Sequence, residues 1–115
     1  MITKKDRQDL VRFLKDVKKS IGVINPLNIE FQVDEILSQT ALNCVAYIAE
    51  ENKKIVGFIN GKILNINPKK VGSVSEYFVA KDFRGQGIGK RLVQSLDNYF
   101  TQQGYQLLNV FGLMH

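Results

Sequence analysis

The chain has 115 residues, 44% of them apolar and 23% charged, which suits one globular domain, residues 1–115, with one core. Its apolar runs are too short to span a membrane, and MITKKDRQDL lacks the apolar stretch of a secretory signal, so a cytoplasmic protein is expected. Cys44 is the only cysteine and His115 the only histidine, which argues against a disulfide framework, a metal site and a Ser-His-Asp triad. The formal net charge of +5 suits an anionic ligand, a nucleic acid or an acidic surface without choosing among them.

Thr3 and Asp6 form an N-terminal capping pattern, and Leu10, Val11, Leu14, Val17 and Ile21 recur at helical spacing. An amphipathic helix is predicted over about residues 4–20, stopped by Gly22. A second, shorter helix is read at Val33–Ala41, with Asp34 and Glu35 near its positive end. From Cys44 the texture becomes strand-like. CVAYIAE leads through the polar ENKK into IVGFINGKIL, a β-hairpin. NINPKKVGS reads as a loop and VSEYFVA, 74–80, as a further strand. After a glycine-rich turn, Lys90–Gln103 reads as helix, with Leu92, Val93, Leu96, Tyr99 and Phe100 on one stripe and Gly104 as its stop. YQLLNVFGLM reads as a last apolar strand. Lys18, Lys19, Lys53, Lys54, Lys69 and Lys70 are scattered as a solvated surface would scatter them.

The turn KDFRGQGIGKRL, 81–92, joins a strand to a helix whose first amides have no intrahelical partner and carry partial positive charge. Without Cβ atoms at Gly85, Gly87 and Gly89, a phosphate can rest on those amides, with Arg84 and Lys90 adding charge. A pyrophosphate is the expected occupant, the alternative being a turn that only packs helix on sheet. A Walker A loop would need glycine at Arg84 and Ser or Thr at Arg91. A dinucleotide fingerprint would need glycine at Lys90.

Arg84-Gly85-Gln86-Gly87-Ile88-Gly89 resembles the R/Q-x-x-G-x-G/A signature of the GNAT superfamily of acyl-CoA-dependent N-acetyltransferases. EYFVAKDF resembles that family's fourth strand, the stripe from Leu92 its third helix, and VAYIAEENKKIVGFING its hairpin of strands 2 and 3. The similarity covers roughly residues 44–111. It implies an α/β fold, a mixed and largely antiparallel sheet flanked by helices, and an acetyl group passing from acetyl-CoA to a primary amine by direct attack. Arg84, Gly85, Gln86, Gly87, Ile88, Gly89 and Lys90 would then hold the coenzyme A pyrophosphate. Phe78 and Val79 would bond the pantetheine and thioester carbonyl through main-chain groups. Glu76 falls where many members carry a glutamate that takes a proton from the attacking ammonium. Its other reading is a strand carboxylate paired with a lysine.

The family's usual C-terminal helix, final strands and leaving-group tyrosine have no counterpart after this last strand, and none of Tyr77, Tyr99 and Tyr105 occupies that tyrosine's motif position. The family's first strand is nearly absent too. An apolar edge strand left uncovered favours a homodimer with residues 105–115 at or near the contact. A non-catalytic coenzyme A-binding or oligomerisation module is the second reading. Nucleic acid is a poor third, because no aromatic side chains interleave with the basic ones. Cys44 begins an apolar strand with no base nearby and reads as buried and structural.

Overall fold

The computed structural model describes residues 2–20, 29–39, 44–66 and 68–108. Helix α1 (Arg7–Ser20) follows a short 3-10 turn at Lys4–Asp6, where the Thr3 amide donates to Asp6 Oδ2 at 2.8 Å. Helix α2 (Ile29–Gln39) begins four residues earlier than the sequence predicts, so Glu30, and not Asp34 or Glu35, lies in its first turn. Ile29, Val33 and Ile36 supply the buried stripe of α2, and Leu10, Leu14 and Val17 that of α1. Arg7 bonds Asp34 at 2.6 and 3.1 Å and Lys15 pairs with Glu30 at 2.5 Å, so exposed charges strap the two helices together.

Strands β1 (Cys44–Glu51), β2 (Lys54–Ile66), β3 (Lys69–Val79) and β4 (Leu107–Leu108) form one sheet in the order β1-β2-β3-β4. The first three are antiparallel, and β4 runs parallel to β3 through Gly72↔Leu107 and Ser73↔Leu108. Asn52 and Lys53, at φ 52° and 67°, make the two-residue β1–β2 turn in the left-handed conformation that such tight hairpins need. The predicted loop at 65–73 is instead mostly strand: Asn65 pairs with Lys70 and Ile66 with Lys69. Its polar sequence reflects exposure at this end of the hairpin, not absence of pairing. The start of the described chain lies against β1, with the Ile2 amide donating to the Ala46 carbonyl at 3.1 Å.

Helix α3 (Ile88–Gln102) lies on one face of the sheet and α1 with α2 on the other. The register between β2 and β3 shifts once, so that Ser75 is an extra residue of β3 between the pairs Gly61↔Val74 and Asn60↔Glu76. Tyr77 and Val79 therefore join Val74 on the α3 side, while Phe78 packs with α1 and α2. A Cβ at Gly61 or Gly72 would press into the Phe100 ring, so α3 lies close on a sheet surface kept bare for it. Residues 109–115, most of the predicted last strand, and Ile21, Gly22 and Thr40–Ala41 lie outside the described residues.

Candidate functional site

β3 stays tied to β2 to its very end, since the Ala80 amide donates to the Val56 carbonyl at 2.8 Å. Alternation along the strand then turns the main-chain groups of Phe78 toward β2 and those of Val79 away from it. Beyond Ser73, the outer edge of β3 has no strand partner among the described residues. A 3-10 turn at Lys81–Phe83 leads from β3 into the glycines.

The three glycines have two different physical reasons. Gly85 and Gly87 sit at φ +79° and +82°, a backbone region where a side chain is strained, although a Cβ there would meet nothing within 4 Å. Gly89 is buried in the first turn of α3, and a Cβ there would overlap the Tyr77 hydroxyl. Conformation demands the first two and close packing the third. The helix starts at Ile88, two residues before the predicted Lys90. Its first i→i−4 bond runs from the Arg91 amide to the Gly87 carbonyl at 3.1 Å, so the amides of Ile88, Gly89 and Lys90 come before the ladder. No acidic residue stands in this first turn, which leaves the positive end of α3 uncompensated by its own helix.

Beside that turn lies a cleft of about 460 Å³, walled by Tyr77, Phe78 and Val79 of β3, by Phe83, and by Arg84, Gly85, Gly87, Gly89 and Lys90. Two of the predicted turn residues are elsewhere: Ile88 is buried against the sheet, and Gln86 turns back to donate to the Asp82 carbonyl at 3.5 Å. Arg84 donates through Nε to the Val79 carbonyl at 3.1 Å, which pins the turn to the strand end. Tyr77 and Phe83 are cleft residues that the motif does not contain. Tyr77 is legible in hindsight as sharing a face with Val79, two residues on.

Glu76 occupies the other face of β3. Its Oε2 is 3.2 Å from Lys18 Nζ and its Oε1 accepts from the Gln32 carboxamide. Lys18 also donates to Gln32 Oε1 at 3.0 Å, closing a ring of three side chains from α1, α2 and β3. The Lys18 and Glu76 side chains are only 17% and 18% exposed, so Lys18 is not the solvated surface lysine that its sequence context predicts. Its neighbour Val17 on the apolar stripe was the available signal. Cys44 is buried and donates to Asn60 Oδ1 at 2.9 Å, and burial pushes its thiol pKa up, which suits a structural group and not a nucleophile. Among the described residues there is no cluster of metal-binding side chains, and no helix is long and apolar enough to cross a membrane.

Residues 13–112 match the family model for the acetyltransferase (GNAT) family. An uncharacterised N-acetyltransferase of Methanocaldococcus jannaschii is 34% identical over 68 residues, which span 56% of this chain and 30% of that protein. The fold is similar to that of a ribosomal-protein-alanine N-acetyltransferase from Brucella melitensis biovar Abortus 2308, with a TM-score of 0.71 at 21% identity over 93% of this chain and 75% of the other. It is similar also to a predicted acetyltransferase of Clostridium acetobutylicum solved with acetyl-CoA, with a TM-score of 0.74 at 20% identity over 90% and 73% of the two chains. With the strand, glycine turn and helix in place, the family match assigns this chain to the GNAT acetyltransferases.

Proposed function

We propose that the chain is an acetyl-CoA-dependent N-acetyltransferase in which a primary amine attacks the thioester directly. The observation that carries this reading is the cleft at the start of α3, with three amides ahead of the helical ladder, left-handed glycines and no acidic neighbour in the first turn. A pyrophosphate fits such a cradle because its oxygens can accept from these amides and no Cβ at Gly85, Gly87 or Gly89 stands in the way. Arg84 to Lys90 would supply this contact, with Lys90 adding its charge and Ile88 contributing through its amide alone. The Val79 amide, turned away from β2, would bond the pantetheine or the thioester carbonyl, and Phe78 would wall the same channel. An N–H aimed at that carbonyl stabilises the oxyanion formed during attack. Glu76 would accept the proton of the attacking ammonium.

The ring of Lys18, Gln32 and Glu76 favours a second reading, a coenzyme A-binding module without catalysis, because both carboxylate oxygens are already engaged within the chain. Turnover of acetyl-CoA against a panel of primary amines separates the two. Coenzyme A release that depends on an added amine supports the enzyme. Tight coenzyme A binding without release supports the module. We further propose a homodimer acting in the reducing cytoplasm, supported by the place of β4 at the sheet edge and by the free buried thiol of Cys44. Light scattering at micromolar concentration tests the dimer, and a monomer there overturns it.

A further inference from the structure

The proposed general base already holds an amine. Lys18 Nζ lies 3.2 Å from Glu76 Oε2, at hydrogen-bond distance and largely shielded from water, where a proton can pass from ammonium to carboxylate. Gln32 bonds both partners and fixes the pair from α2. Phe78, which walls the cleft, is two residues further along β3 and packs on the same face of the sheet, a displacement of about 7 Å along the strand. A lysine stem with four rotatable bonds moves its amine over a distance of that order without unfolding its helix.

From this placement we infer that Lys18 is itself an acetyl acceptor, so that the chain modifies its own first helix. The inference rests on the acetyltransferase reading above. The Lys18 ammonium gives one proton to Glu76, and the free amine adds to the thioester carbonyl carbon. The adduct collapses with cleavage of the C–S bond. The sulfur leaves as thiolate and takes up the proton that the new amide nitrogen sheds. Glu76 returns its own proton to water, and the products are Nε-acetyl-Lys18 and coenzyme A. The reaction is self-limiting, since the amide carries no charge and its nitrogen is no longer nucleophilic. It also breaks the ion pair, freeing one oxygen of Glu76 for an incoming amine.

The test uses the intact chain with trideuteroacetyl-CoA, read by intact mass and peptide mapping. One acetyl group per chain is expected at Lys18, at a first-order rate that does not change when the protein is diluted tenfold. Lys18→Arg keeps the ion pair and should carry no label at position 18. Glu76→Gln should slow labelling about 100-fold. Calorimetric titration with coenzyme A is run on the same samples. Binding with Lys18 unlabelled overturns the inference and leaves the coenzyme A site standing, with Lys18 a structural partner only. Labelling of the exposed Lys53 and Lys54 as fast as Lys18 overturns it too, because solution chemistry then explains the label. Absence of coenzyme A binding overturns the acetyltransferase reading and this inference with it.

Discussion

The two faces of β3 are built in opposite ways. On the α3 side the site is backbone: left-handed glycines, early helix amides and the edge of a strand, all within residues 77–90. On the α1–α2 side it is side chain: a lysine, a glutamine and a glutamate drawn from residues 18, 32 and 76. A backbone site is contiguous in sequence, because one turn of chain makes all of it. A side-chain site is scattered, because its members meet only after the helices pack. The first should therefore fail through conformation and the second through chemistry.

The largest expected effect is on the backbone face. Gly87→Glu puts a side chain and a negative charge into a left-handed position at the cradle, and coenzyme A affinity should fall more than about 100-fold by calorimetry, roughly 2.7 kcal/mol or more. Because the space around that Cβ is open, circular dichroism should still report a folded chain. Unchanged affinity would end the comparison at its first half. On the other face, Glu76→Gln keeps the shape and removes the proposed base. Amine-dependent turnover should drop about 100-fold while coenzyme A affinity stays within about twofold. If affinity falls as well, the two faces are not separable.

A smaller effect distinguishes the glycines from one another. Gly89→Ala forces a methyl group onto the Tyr77 hydroxyl and should destabilise the fold by about 1–3 kcal/mol in denaturant titration. In a Tyr77→Phe background much of that cost should vanish, as a double-mutant cycle would register. Gly85→Ala should gain nothing from Tyr77→Phe, because its difficulty is torsional.

The smallest effect concerns the straps between α1 and α2. The hydrogen bond from Arg7 holds the Asp34 carboxyl below its ordinary range, and that from Lys15 does the same for Glu30. Groups whose folded pKa is lowered stabilise above the unfolded value and lose that contribution as pH falls through the folded one. Tm should thus decline on acidification below the ordinary carboxylate range, and less steeply in Asp34→Asn. Both groups are open to solvent, so the difference should be small and fade in high salt.

Much of the fold was readable because its signals are local. The spacing of Leu10, Leu14 and Val17 marks α1, and the turn before Lys54 marks the hairpin. Arg84 to Gly89 could be placed at a helix start by the strand before and the stripe after. Ring closure by Lys18 and Gln32 could not: Val17 places Lys18 beside the apolar stripe, but nothing in either helix says which partner the lysine will meet. The misread hairpin end has a different cause. Lys69 and Lys70 resemble a loop because this end of the hairpin is exposed among the described residues, and strand pairing by itself does not require apolar side chains.

Ser75 sets the phase of β3. Above it the even positions 72 and 74 face α3, and below it the odd positions 77 and 79 do. One residue thus separates two frames of the same strand, as a leap day separates two calendars. Were the bulge ironed out, with Ser75 taking a place in the ladder, the composition of β3 would stay the same while one half changed face: either Gly72 would turn away from Phe100, or Glu76 would turn toward α3. The unpaired place in the ladder, and not the identity of the side chain at position 75, is what lets one strand present Gly72 to Phe100 and Glu76 to Lys18 and Gln32.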